Sequence, residues 1–335
     1  MPASHPTVCV IIAAKNAAGT IGSAIGSALR EDAVAEIIVV DDGSTDGTGR
    51  AARAADDGTG RLRVLRLEQN RGPAFARNRA IEASNAPVLA ILDADDVFIE
   101  GRFEGLLQDD DWDFVADNIV FLDRLTALSA EDIEQFEPRP HFLTVSAFIE
   151  GNLSRPGVRR GELGFLKPVM RRSFLDRHGI RYNEALRLGE DYELYVRALS
   201  KGARYKVVHN CGYCAITRPD SLSGQHRTAD LRSLYEADRC LEQCHGFPAD
   251  ALAALRRHAR QTRARYELRR FLDLKAEGGI GKAALYGLRH PVAAPSIVRG
   301  IVRDKFAAFR GRFAGPGRKV LARRYLLSVA STVER

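Results

Sequence analysis

Unbroken apolar runs and amphipathic stretches alternate through the first hundred residues. Val8-Cys9-Val10-Ile11-Ile12-Ala13, Ile37-Ile38-Val39-Val40 and Val88-Leu89-Ala90-Ile91-Leu92 contain no polar position except a cysteine. That is the pattern of strands covered on both faces. Arg63 to Leu67 reads as a further strand. Between the strands, apolar residues at 21, 24, 25, 28 and 29 recur with the spacing of one helical face. Arg50 to Ala55 and Ala74 to Ala83 also read as helices. Repeated β-α-β units predict an α/β fold with a mostly parallel, doubly wound sheet. The pattern then changes. Phe114 to Phe121 reads as a strand and Asp132 to Pro140 as a loop. Residues 141–182 mix short helices with Gly/Pro loops. Asp191 to Ser200 predicts a helix, Tyr205 to Val208 a strand, and 229–245 and 250–276 two more helices. Gly278-Gly279-Ile280-Gly281 predicts a hinge.

Composition narrows the class. With 335 residues, 45% hydrophobic and 28% charged, the chain can bury a large core and is not globally disordered. It has no run of ~18 apolar residues, so no membrane-spanning helix is expected. The N-terminus lacks the basic opening of a signal peptide. Five cysteines do not make a disulfide framework, which points to the cytoplasm. Cys211/Cys214 and Cys240/Cys244 have a spacing that a zinc site could use, but read better as inert thiols.

Charge is distributed unevenly. Residues 1–250 hold 30 basic and 38 acidic residues, a net −8, whereas 251–335 hold 20 and 5, a net +15. Within that basic tail Val298, Val302, Phe306, Phe309 and Phe313 fall on one helical face, flanked by Arg299, Arg303, Lys305, Arg310 and Arg312. Such a helix suits the surface of an anionic membrane rather than nucleic acid. The other reading is a helix packed on the body with its basic face in water.

Carboxylates gather where strands end. The second apolar run leads into Asp41-Asp42-Gly43-Ser44-Thr45-Asp46-Gly47, and the run ending at Leu92 into Asp93-Ala94-Asp95-Asp96. Open α/β sheets bind ligands beyond the carboxyl ends of their strands. Converging carboxylates call for a cation, and a hard divalent ion takes oxygen ligands of this kind. The first cluster is not a calcium loop, because the twelfth position is Arg53. Neither a dinucleotide GxGxxG nor a P-loop occurs. Asp46 has a second, structural use as a cap of the next helix.

Four segments in order, Val10-Ile11-Ile12-Ala13-Ala14-Lys15-Asn16, Ile38 to Asp46, Asn70-Arg71-Gly72-Pro73-Ala74-Phe75-Ala76-Arg77-Asn78 and Leu92-Asp93-Ala94-Asp95-Asp96, resemble the family 2 glycosyltransferases of the GT-A fold. Gly189-Glu190-Asp191-Tyr192 is similar to that family's acidic motif at the start of an acceptor-side helix. The resemblance spans about residues 7–225. The stretch Arg218 to Gly224 is most similar to bacterial exopolysaccharide transferases of the succinoglycan type. The resemblance implies a GT-A domain over 1–228, with a donor half (1–125) and an acceptor half (126–228). A helical extension (229–277) and a basic amphipathic tail (278–335) would follow.

The same resemblance implies a UDP-sugar donor, with UDP-glucose first, and an inverting transfer assisted by Mg²⁺ or Mn²⁺. Asp42 matches the carboxylate that binds the base; its alternative is a turn-stabilising role. Ala13 and Lys15 line that pocket, where the family usually has Pro and Tyr, so base stacking is lost and Lys15 is free for a phosphate. Asp93 and Asp95 form the DxD motif. Asp95 would hold the metal, and Asp93 the ribose and the metal's shell. Arg71 and Arg77 are donor-side candidates, Arg77 equally a salt-bridged helix residue. Asp191 is the expected catalytic base, receiving the acceptor hydroxyl's proton, with Glu190 beside it. Its alternative is an acidic first-turn residue favoured by the helix dipole. Arg218 is a candidate lid residue. The acceptor implied is a lipid-linked oligosaccharide at the inner face of the cell membrane. Two other classes remain: a nucleotidyltransferase, for which only Lys15 supplies an N-terminal phosphate ligand, and a sugar-nucleotide-binding or membrane scaffold without catalysis.

Overall fold

The computed structural model describes residues 7–123, 140–154, 162–217, 227–244, 246–291, 293–295, 297–302 and 323–327. Arg218, Phe306, Phe309, Phe313 and most of the 132–140 loop lie outside them.

The N-terminal half is the β-α-β series expected. It runs β1 (Val8–Ala14), α1 (Ile21–Leu29), β2 (Val34–Asp41), α2 (Thr48–Ala54), β3 (Leu62–Arg66), α3 (Pro73–Ala83) and β4 (Val88–Ile91). These strands lie in the order β3-β2-β1-β4, all parallel. Alternation along β1 shows why its run is continuous. Cys9 and Ile11 face a core shared with α3, whereas Val8, Val10 and Ile12 face a core shared with α1. Both faces are buried, so no position tolerates a polar side chain.

The second half is mixed. β5 (Val97–Phe98), α4 (Arg102–Leu106), β6 (Phe114–Leu122), β7 (His141–Leu143), α5 (Val145–Gly151), β8 (Val169–Arg171), α6 (Arg172–Arg177), α7 (Glu190–Ser200) and β9 (Tyr205–Ile216) follow. β8 joins the two halves, antiparallel to both β4 and β6. β6 and β9 are parallel, and β5 and β7 pair antiparallel with β9. β9 is far longer than the four residues its apolar start predicts, because its polar continuation is held by pairing to β6.

Helices α8 (Thr228–Gln243) and α9 (Ala249–Arg289) follow, and β10 (Arg324–Tyr325) is the last strand described. The expected hinge is a break within α9. Gly278 has φ −148°, and Gly279 has φ 75°, which is cheap only for glycine. The tail region is not a free appendage. Arg324 and Tyr325 pair antiparallel with Phe121 and Val120 of β6. The Asn118 side chain binds both the carbonyl and the amide of Leu327, at 2.9 and 2.8 Å.

Residues 297–302 are helical, with Ile297 buried and Gly300 lying against Leu268. Val298 and Val302, the first two positions of the predicted stripe, are 60% and 62% exposed. No helix among the described residues is long and apolar enough to cross a membrane.

Candidate active site

The parallel strands deliver Lys15, Asp42 and Asp93 to one edge of the sheet, just beyond β1, β2 and β4. Glycines shape the loops there. Gly43 (φ 62°) lies so close to the Gln69 backbone that a Cβ would clash with it. Gly72 (φ 96°) immediately precedes Pro73, which opens α3 at a position where its missing N–H costs nothing.

Asp42 is buried, and each of its oxygens accepts a backbone amide: Arg71 at 2.6 Å and Gly72 at 2.8 Å. It thus braces the loop that opens α3. Lys15 is half-buried, with its ammonium on the Gly43 carbonyl. Ala13 is half-buried at the end of β1, opposite Val40. Asp46 accepts the Thr48 amide at 2.9 Å and the Ala18 amide at 3.2 Å; the cap position of α2 itself is Gly47, so Asp46 stands one residue before it. Arg71 is exposed and lies over the Phe75 ring.

A ring of charges forms where β4 meets α7. Arg77, on α3, donates to Asp93 Oδ1 (3.0 Å), Asp191 Oδ1 (3.1 Å) and Glu190 Oε1 (2.8 Å). Lys167 Nζ contacts the remaining oxygens, Asp93 Oδ2 (3.0 Å) and Asp191 Oδ2 (2.9 Å). Two carboxylates and two cations alternate around a closed ring. Arg77 is thus the salt-bridged helix residue of the second reading, with Asp93 among its partners. Burial alone would raise the Asp93 carboxyl, but Lys167 and Arg77 outweigh it and hold the group at about 2. Glu190 is raised by burial, against the pull of Arg77.

Local structure explains these placements. Gly189 (φ 74°) precedes α7, and a Cβ there would meet Leu234. Glu190 and Asp191 then occupy the first turn, where the helix dipole favours acids. Asn78, beside Arg77, binds the amide and carbonyl of Tyr182, both at 2.9 Å, and so ties α3 to the segment leading into α7.

Asp95 is half-buried, and its charge acts on Asp96. Burial, then Asp93 and Asp95, push the Asp96 carboxyl up to about 8, although the Ile216 amide and the Tyr213 hydroxyl both donate to it. The Tyr213 oxygen also accepts the Asp93 amide at 3.1 Å. Negative charge thus accumulates beyond β4.

Could this cluster hold a divalent ion? Among the described residues no three His, Cys, Asp or Glu side chains gather into a metal-binding group. Both Asp93 oxygens are engaged by cations. An ion of the magnesium type takes one or two carboxylates and completes its shell with substrate phosphates and water; the carboxylates beyond β4 that would hold one are Asp93 and Asp95. The five cysteines are free thiols, and burial pushes Cys9 and Cys214 up to about 12.

Lys167 and Tyr213 lie outside every motif. Lys167 stands as the one charged side chain in the run Leu163-Gly164-Phe165-Leu166-Lys167-Pro168-Val169-Met170. A lone charge in an apolar run was the signal available for it. Tyr213 gave none beyond its neighbours, whereas Asn78 closes the third of the four matching segments.

Comparison with known proteins agrees with this architecture. Succinoglycan biosynthesis protein ExoU of Rhizobium meliloti (strain 1021) is 59% identical over 312 residues, 92% of this chain and 91% of that protein. Two solved structures share the fold. TarS 1-349 of S. aureus, in complex with UDP-GlcNAc, aligns with a TM-score of 0.57 at 20% identity, covering 81% of this chain and 74% of that one. The mannosyltransferase PcManGT of Pyrobaculum calidifontis, in complex with GDP-Man and Mn2+, aligns with 0.55 at 17% identity, covering 92% and 82%. The architecture is GT-A, an α/β sheet with a helical C-terminal region. Residues 9–145 match the profile described as Glycosyl transferase family 2. With the long, high-identity match beside that profile, the chain belongs to glycosyl transferase family 2 and is a glycosyltransferase.

Proposed function

We propose that this enzyme moves a sugar from a UDP-sugar, UDP-glucose first among them, to a lipid-linked oligosaccharide during assembly of a succinoglycan-type exopolysaccharide. The carrying observation is the closed ring of Asp93, Arg77, Asp191 and Lys167. It joins a carboxylate beyond β4, on the donor side, to one at the start of α7, on the acceptor side. The relative's part in succinoglycan biosynthesis and the UDP-GlcNAc bound by TarS support the product and donor class.

In this reading the nucleotide lies across the strand ends. The base rests by Ala13 and Asp42, whose oxygens keep lone pairs beyond the two amides they accept. Lys15 lies within reach of the diphosphate, and Asp93 and Arg77 meet the ribose and phosphate side. Asp191 takes the proton from the acceptor hydroxyl as that oxygen attacks the anomeric carbon from the face opposite the leaving nucleotide. One carboxylate suffices, because an inverting transfer forms no covalent intermediate. Asp95 and Asp93 would hold a Mg²⁺ or Mn²⁺ ion, whose chemistry would be to offset the negative charge developing on the departing diphosphate.

Calorimetric titration with UDP, GDP and TDP, with and without Mn²⁺, tests the donor class. Metal-dependent binding selective for UDP is expected. Failure to bind any nucleotide favours the scaffold alternative. Asp191→Asn should lower transfer by about 10²–10⁴-fold with UDP binding kept; unchanged turnover removes Asp191 as the base.

We also infer that the C-terminal region rests on the inner face of an anionic membrane, bringing the site to its lipid-linked acceptor. Six of the eight exposed large hydrophobic side chains among the described residues fall between 272 and 302, with Leu288 79% exposed. The same region carries the basic excess. Cosedimentation with phosphatidylglycerol vesicles at low salt tests this. The full chain should bind and the Leu288→Glu/Val302→Glu variant should not; equal binding by both refutes the surface.

A further inference from the structure

We propose that Lys167 is a positioning residue for the transfer: its ammonium locks the donor-side carboxylate of Asp93 to the acceptor-side carboxylate of Asp191. This inference rests on the reading of Asp191 as the base. Lys167 is buried, and its ammonium lies 3.0 Å from one oxygen of Asp93 and 2.9 Å from one oxygen of Asp191. Arg77 holds the opposite oxygen of each. Neither carboxylate can rotate without breaking a contact to a buried cation, and a buried charge left without its partner is costly. Lys167 therefore fixes both the direction in which Asp191 presents its lone pairs and its separation from Asp93.

The lysine is itself held from behind. Arg102 grips Asp117 through Nε (2.9 Å) and Nη2 (2.8 Å), and the same Nη2 donates to the Lys167 carbonyl at 2.6 Å. The side chains of Arg102 and Asp117 are 0% and 2% exposed. Gly212 of β9 leaves room for the pair, because a Cβ there would collide with both side chains. Pro168 restricts the Lys167 backbone to extended conformations. The ammonium thus stands on a backbone fixed at the carbonyl by a dry ion pair. That is an arrangement for holding a reacting geometry, in which displacement by about 1 Å costs on the order of 10² in rate.

The test uses the full chain as Lys167→Met, Lys167→Ala and Lys167→Arg. Release of UDP from UDP-glucose is measured with octyl β-glucoside as acceptor, beside calorimetric UDP binding and a crystal structure of Lys167→Met with UDP. Lys167→Met should lower kcat by about 10²-fold with the donor KM and UDP affinity little changed. Lys167→Arg, or n-propylammonium added to Lys167→Ala, should restore part of the rate. In the crystal Asp191 or Asp93 should leave its wild-type position by more than about 0.5 Å. Wild-type kcat in Lys167→Met, or a loss carried wholly by KM, overturns the proposal. So does a crystal in which both carboxylates stay in place. If the wild type itself turns over no UDP-sugar, the transfer reading fails, and the crystal still decides what Lys167 positions.

Discussion

Two buried charge clusters adjoin in this molecule, and they are built on different plans. In the first, Arg102 and Asp117 form one matched pair, 0% and 2% exposed, with the guanidinium within 6 Å of the Phe98, Phe103 and Tyr213 rings. Glu31 lies close by, accepting the Phe103 amide. In the second, Arg77 and Lys167 serve three carboxylates, and the Asp93 side chain keeps 34% of its exposure. The first cluster is sealed and its charges cancel. The second is oversupplied with acid and open on one side. A buried pair that only holds strands together gains from being closed. A cluster that handles a charged substrate needs one member at the solvent and charge still to be answered.

If that contrast is right, the two clusters should fail in opposite ways. Asp117→Ala leaves Arg102 buried without its partner, and should cost about 3–5 kcal/mol of stability in chemical denaturation. Arg77→Met should show the inverse: kcat for transfer down about 10²–10³-fold, with a smaller drop in unfolding midpoint than Asp117→Ala. If Arg77→Met proves the less stable of the two and nearly as active as wild type, the distinction collapses. Gly212→Ala pushes on the sealed pair without removing a charge. It should destabilise by about 1–3 kcal/mol, read as a lowered midpoint. Glu31→Gln is the mildest probe. Burial raises the Glu31 carboxyl, against the opposing pull of the Phe103 amide and Arg102. A carboxyl raised in the fold lends stability below its unfolded value, about 4.3, and loses it as pH rises through the folded value. Thermal unfolding of wild type should therefore decline relative to Glu31→Gln as pH rises from about 4 to about 7. Parallel curves would mean that Glu31 titrates normally.

Legibility in the sequence followed how local each feature is. α1 was written in its apolar spacing, and β1, β2 and β4 in runs that both faces of the sheet require. β5, β8 and β10 have only two or three residues, and their partners define them, so no local pattern announces them. Asp93 and Asp191 stood out because acids at a strand end and at a helix start have a physical reason to be there. Lys167 did not, because its meaning lies in two aspartates far along the chain. Asp42 was read both as a base ligand and as a turn brace. The structure shows neither a base nor a local turn on it: the amides it accepts belong to the loop that opens α3, about thirty residues later, a bond no local pattern announces.

The return of β10 to β6 bears on how the molecule is made. Asn118 and Leu327, which bind each other, are 209 residues apart in sequence. Closing so long a loop is slow, although doubling its length adds only about 0.6 kcal/mol of entropy. During synthesis β6 emerges long before its last partner does, and for that interval its backbone groups at Ile119 and Phe121 must wait in water or find a substitute. The same closure makes residues 323–327 a latch set after the rest of the sheet. Shortening the chain before them would reopen a strand edge inside the enzyme, and an open edge is a template for another chain.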